Sequence, residues 1–170
     1  MEHASAAQAS TGEPVSRGTS VSDACIIDFH RRFHIPAPPE RVWSYLGELE
    51  HYGSWRSWLK EIRVEGGLHA RSVIHGVIKP PLPYRVSLDV VLTDCLPARR
   101  VDALVEGDVE GHGRVLLAPE EGATRVDVAW TVEVRTLPIR LMMRVARPVV
   151  IWAHDSVVEA AVADICNHVA

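Results

Sequence analysis

Apolar and polar residues alternate along most of this chain with a period of two, and the alternation changes to a helical period only near the end. The first alternating run is ACIIDFHRRFHI, where Phe29, Phe33 and Ile35 face one way and His30, Arg32 and His34 the other. That pattern predicts a strand with one buried face. Arg31 breaks it by falling on the apolar side. Pro36, Pro38 and Pro39 stop the strand, and Pro38, Pro39 and Glu40 suit a helix start, where a missing N–H costs nothing and a carboxylate meets the positive end of the dipole. ERVWSYLG then predicts a short helix with Val42 and Leu46 inward, ending at Gly47. ELEHYGSW predicts a second short helix directly after it.

From Trp58 to Val134 the pattern is a succession of strands: WLKEIRVE, RSVIHGVI, YRVSLDVVL, RRVDALVEG, GHGRVLLAP and TRVDVAWTVEV. KPPLP between the second and third is a loop or bent edge, because proline cannot donate to a ladder. Gly107–Gly113 reads as a corner. Short connections predict an antiparallel meander, and one apolar face per strand predicts that a single side of the sheet is covered.

The cover is the last third of the chain, Leu137–Val169, the one stretch that can form a long helix. Beyond Pro148, Ile151, Val158, Val162, Ile165 and Val169 fall on one stripe, with Ala153, Ser156, Ala160, Asp164 and Asn167 opposite. His154 and Asp155 flank the stripe, and buried ionisable groups are expensive unless something uses them. Adjacent helical residues diverge by about 100°, which speaks against a direct His–Asp dyad and for bonds across to the sheet or its loops, near His75 or His112. The preceding segment places Ile139, Met142, Met143 and Ala146 on one face and Arg140, Arg144 and Arg147 on another. It reads as an ordinary helix with a solvated basic face or as a lid making transient membrane contact through those arginines. A single helix cannot cover a curved sheet of about seven strands. The concave side therefore either collapses or leaves a cavity.

Composition narrows the class. The chain has 170 residues, 47% hydrophobic and 24% charged, with a net charge of −4, which fits one soluble domain and gives no case for nucleic acid. Three widely spaced cysteines without a CxxC favour a reducing compartment over a disulfide framework. With no signal-peptide pattern and no bilayer-length apolar run, the expected location is cytoplasmic. Residues 1–22 are rich in Ala, Ser, Thr and Gly and are expected to be a disordered tail, with the domain at 23–170. No metal or cofactor motif is present among the nine histidines or the glycines: His30 and His34 should face solvent, and Gly107–Gly113 lacks the lysine of a phosphate loop.

The motifs FHRRFHIPAPPERVWSYLGELEHYGSW, Leu82-Pro83-Tyr84, GDVEGHGRVLL, TRVDVAWTVEV and WAHDSVVEA occur in an order that resembles the SRPBCC superfamily, over nearly all of Phe29–His168. That superfamily includes START domains, birch-pollen-allergen-like proteins and the polyketide cyclase/dehydrase and lipid-transport group. The resemblance implies an α+β helix-grip fold: a curved antiparallel sheet of about seven strands around a long C-terminal helix, with two short helices after the first strand. WAHDSVVEA is similar to a Trp-x-His-Asp signature in which Asn often precedes the His; here that position is Ala153.

The same resemblance implies an elongated apolar cavity for a lipid, polyketide or aromatic ligand and no cofactor. Its expected walls are Tyr84, Val86, Leu88, Val128 and Trp130 from the sheet and Ile151, Trp152, Asp155 and Val158 from the helix, with Trp55 and Trp58 near the mouth. Each is equally an ordinary core residue. Three functions stay open: binding or transport without chemistry, a cyclase/dehydrase-type enzyme with His154 and Asp155 as the candidate proton-moving groups, and a stress or toxin–antitoxin partner using an exposed apolar surface. Monomer and homodimer are both compatible with the sequence.

Overall fold

In a computed structural model, residues 25–48 and 57–170 are described, and the rest of this account concerns them. The order is β1 (Ile26–Ile35), α1 (Pro39–Gly47), β2 (Leu59–Glu65), β3 (Val73–Ile78), β4 (Val86–Leu96), β5 (Arg100–Gly107), β6 (Val109–Glu120), β7 (Ala123–Val134) and α2 (Leu137–Val169). The strands form one antiparallel sheet in the order β1-β7-β6-β5-β4-β3-β2. This is the helix-grip architecture, a curved seven-stranded sheet with a long C-terminal helix. The expected second short helix over 48–55 and the tail over 1–22 lie outside the described residues, apart from Glu48, which caps α1.

The register fixes which residues face α2. Phe29 pairs with Trp130, Trp130 with Gly113, Gly113 with Ala103 and Ala103 with Leu92. Directly paired residues point to the same face, so Phe29 carries that whole row toward the helix, while His30, Arg32, His34, His75, Asp89 and His112 fall on the convex side. Register shifts at Leu59/Glu61 and Leu92/Asp94 bend the strands there. The glycine corner is tighter than expected. It turns at Gly107–Asp108, and Gly111 and Gly113 lie inside β6. Gly107 has φ +121, and a Cβ there would stand 2.6 Å from the Ser87 carbonyl oxygen. Asp108 ties this corner to two other elements. Its carboxylate accepts from the Ser87 N–H at 2.7 Å and the Thr136 hydroxyl at 2.7 Å, and its carbonyl accepts from the Arg135 N–H at 2.8 Å. Thr136, the residue that precedes α2, is thereby anchored beside the corner.

The long helix is not one rod. Ala146 leaves helical geometry (φ −138°, ψ 46°) two residues before Pro148, whose ring lacks an N–H and clashes with the preceding turn. The stripe that packs inward also differs from the expected one. Val150 and Ala153 are fully buried, whereas Ile151, Val158, Val162 and Ile165 are half-buried. Ala153, expected on the outer face, is buried because its small side chain lets the helix close on the sheet. At the other end α1 buries Pro39, Val42 and Tyr45. Fully buried Thr124 donates from its hydroxyl to the Ala37 carbonyl at 2.6 Å, pinning the entrance of α1 to β7.

Candidate functional site between sheet and helix

Burial along α2 divides the core in two. One cluster gathers Cys25, Ile27, Val132 and Val134 around Ile139, Met143 and Val150. The other gathers Ile35, Ala37, Val42, Tyr45, Leu117 and Val126 around Val169. Between them, no residue from His154 to His168 is fully buried. Of the apolar residues that β2–β6 turn toward the helix, Leu92 is buried and Val64, Ile74, Val90 and Ala103 are half-buried, while Val105 and Val115 pack on the two clusters. Well-packed cores do not leave aliphatic side chains on both walls open to solvent. This half-buried apolar region between the sheet and α2 is the candidate site.

One polar chain crosses this region at its β1/β7 side. The Trp130 indole stacks on Phe29 (centroids 4.4 Å apart, 15° between planes) and donates from Nε1 to His154 Nε2 at 3.1 Å. An indole N–H can only donate, so His154 Nε2 accepts and its proton sits on Nδ1. Nδ1 then donates to Asp155 Oδ1 at 2.9 Å. Asp155 Oδ2 takes Arg31 Nη2 at 3.1 Å, and Arg31 reaches Glu159 at 3.4 Å while lying 5.7 Å above the Phe29 ring. The expectation that His154 and Asp155 could not pair is overturned. Their Cβ directions diverge, but the two side chains turn toward each other far enough to close a hydrogen bond. Their partners across the fold are Trp130 and Arg31; His75 and His112 are on the convex face. Arg31, the residue that broke the β1 alternation, is on the apolar face because it reaches these helix carboxylates. That irregularity was the sequence signal for the network.

The other expected wall residues scatter. Trp58 is half-buried and donates from Nε1 to Asp164 Oδ2 at 2.8 Å, joining the start of β2 to the far half of α2. Trp55 lies outside the described residues. Tyr84, Val86 and Ile151 pack on the first core cluster, and burial raises the Tyr84 phenol above its ordinary value. Leu88 and Val128 are half-buried on the helix-facing side of the sheet, and Val158 is half-buried on α2. Trp152 is 56% exposed on α2, beside a groove on the helix flank. On α2, Val150 and Ala153 are buried as well as Val169 of the expected stripe, and Ile151 and Ile165 of that stripe pack on the two clusters. Periodicity missed Gly113 and Ala103, two small residues in the row with Trp130; a Cβ on Gly113 would lie 3.4 Å from Trp130 Cβ.

Two grooves lie elsewhere. One of 460 Å³ runs over the convex side of β2–β4, past Arg63, His75 and Asp89, where His75 Nδ1 is 2.5 Å from Asp89 Oδ1. The other, of 550 Å³, follows the outer flank of α2 past Arg147, Trp152 and Glu159. Both are open to solvent, and Ile151 and Asp155, two of the expected wall residues, also line the second. Among the described residues, no three His, Cys, Asp or Glu side chains converge as metal ligands, and no helix is long and apolar enough to cross a membrane.

Known structures share this arrangement. The two-domain aromatase/cyclase BexL from the BE-7585A biosynthetic pathway aligns with a TM-score of 0.67 at 17% identity, over 86% of this chain and 50% of that one, so the chain spans half of BexL. The Zhui aromatase/cyclase from Streptomyces sp. R1128 gives 0.65 at 11% identity over 85% and 93% of the two chains. A START superfamily protein from Mycobacterium smegmatis gives 0.62 at 17% over 84% and 96%. At these identities the likeness is one of fold. No curated protein matches the sequence. The family described as polyketide cyclase/dehydrase and lipid transport matches residues 27–166. The match takes in every described strand and both helices almost to the C-terminus, so the chain belongs to the polyketide cyclase/dehydrase and lipid transport family of the START/SRPBCC superfamily.

Proposed function

We propose that the protein binds and carries a hydrophobic small molecule, lipid-like or aromatic, in a hollow between the sheet and α2, without transforming it. The observation that carries this reading is the divided core: packed at both ends, with half-buried aliphatic walls between. Apolar walls with few polar anchors suit a ligand held by burial. The Trp130–His154–Asp155–Arg31 chain offers one polar edge beside the Trp130 ring.

The cyclase/dehydrase alternative needs a group free to move a proton. Both nitrogens of His154 are engaged, Nε2 by Trp130 and Nδ1 by Asp155, and Asp155 is also paired with Arg31. This supports carriage over chemistry. An apolar fluorescent probe tests the site. Trp130→Ala should weaken probe binding about tenfold or more, since a buried aromatic contributes roughly 1.5–3 kcal/mol of burial, while circular dichroism shows the fold retained. Unchanged affinity would remove Trp130 from the wall and the hollow from the proposal.

A further inference from the structure

The outer face of α2 carries an apolar stripe that the fold does not cover. Leu137, Leu141, Val145, Val149 and Trp152 recur at intervals of four, four, four and three residues and are 77%, 61%, 81%, 42% and 56% exposed. Isolated exposed leucines are ordinary; five large apolar residues on one helical face are not. The exposed apolar positions continue on both sides of the kink at Ala146, as a ridge in two segments.

The charge around the ridge is one-sided. From Thr136 to His154 the chain has no Asp or Glu, although it is net negative overall. Arg140 and Arg144 follow Leu137 and Leu141 by three residues, so they border the ridge on one flank. Neither forms an ion pair among the described residues, in contrast to Arg135, which pairs with Glu110 and Glu133. Arg147, counted above with the basic face, donates to the Ile26 carbonyl at 2.8 Å and serves at least in part to hold β1.

We infer that this ridge docks the protein on an anionic lipid surface, with Leu137, Leu141, Val145, Val149 and Trp152 entering the headgroup boundary and Arg140 and Arg144 meeting lipid phosphates. An apolar stripe with a basic border is the pattern that lies in a membrane interface, and Trp is favoured at that depth. A second copy fits less well. A two-fold contact along the ridge would bring the Arg140–Arg144 rows of both copies to one interface with no carboxylate between them. The inward face of the same segment places Ile139 and Met143 in the first core cluster, which closes one end of the hollow. The docking face and the end of the hollow are thus two sides of one short helix. The inference does not depend on what the hollow holds.

Vesicle co-sedimentation of the full chain tests it, with phosphatidylcholine vesicles prepared with and without phosphatidylglycerol. Binding is expected to require the anionic lipid and to fall with added salt. Val145→Glu and the double variant Arg140→Gln/Arg144→Gln should each reduce the bound fraction about tenfold, with circular dichroism and melting unchanged because these side chains are at the surface. Circular dichroism identifies a misfolded variant, and Leu141→Ser then replaces Val145→Glu. Absence of binding to anionic vesicles would overturn the inference. So would equal binding to neutral vesicles, wild-type binding by both variants, or a dimer in sedimentation velocity that Val145→Glu dissociates.

Discussion

His154 is a single side chain that joins three elements. It accepts from Trp130 on β7, donates to its neighbour Asp155 on α2, and meets the edge of the Phe29 ring on β1 (centroids 5.1 Å apart). A half-buried imidazole held this way is worth more for what it orients than for its own burial. Loss of one partner strands the others, and a buried unpaired donor costs about 1–3 kcal/mol. His154→Phe keeps the volume and removes both hydrogen bonds, leaving the indole N–H without an acceptor. Chemical denaturation should show it destabilised by about 1–3 kcal/mol. Asp155→Asn should lose less, because the Arg31 pair it weakens is partly exposed and such pairs contribute roughly 0–1 kcal/mol. If the two substitutions cost the same, the network is not organised around His154.

Among elements, β6 carries two glycines on one face that serve different ends. Gly111 and Gly113 both turn toward α2, but their surroundings differ. A Cβ on Gly111 would sit inside contact distance of the Thr131 carbonyl oxygen and near the Val132 Cα, both backbone atoms that cannot swing aside. A Cβ on Gly113 would meet the Trp130 Cβ at 3.4 Å and the Ala129 carbonyl oxygen at 3.5 Å, ordinary contacts. Gly111 therefore belongs to the sheet's close approach, whereas Gly113 has room for a Cβ at contact distance. Gly111→Ala should destabilise by about 3 kcal/mol or more through forced backbone displacement, and Gly113→Ala by less than about 1 kcal/mol. Thermal melting of the pair decides it; equal costs would show that the β6–β7 approach is not as tight as the structure has it.

For the whole molecule, strand order and covering helix were legible because period-two runs and a terminal helical run are local patterns, and Arg31 even marked the network as an irregularity. Which residues of α2 bury most deeply was not legible. Ile151 and Val158 outrank Ala153 in hydrophobicity, so periodicity turns them inward, whereas Ala153 is buried completely and they are buried in part. The Ala146 kink adds to this, since a moment taken across it averages two differently oriented segments. Nor could periodicity reveal that the core divides, because that depends on which small residues, Gly113 and Ala103, the register lines up beside Trp130.

That alignment yields the most direct test of the hollow. Ala103 is half-buried at its floor, flanked by Gly113 and Leu92. In a packed core, Ala103→Trp would overpack and cost about 1–3 kcal/mol or more. Over a hollow, the indole finds apolar walls and no occupant to displace, so burial offsets the strain and the melting temperature should hold or rise. The same side chain should occupy the ligand's volume, so probe affinity should fall by about a hundredfold, equivalent to roughly 2.7 kcal/mol. Wild-type protein should gain thermal stability on adding probe, as any ligand specific to the folded state requires, and Ala103→Trp should not. A variant that melts well below wild type would mean that the middle of the fold is packed, and a stable variant that still binds probe would place the ligand elsewhere.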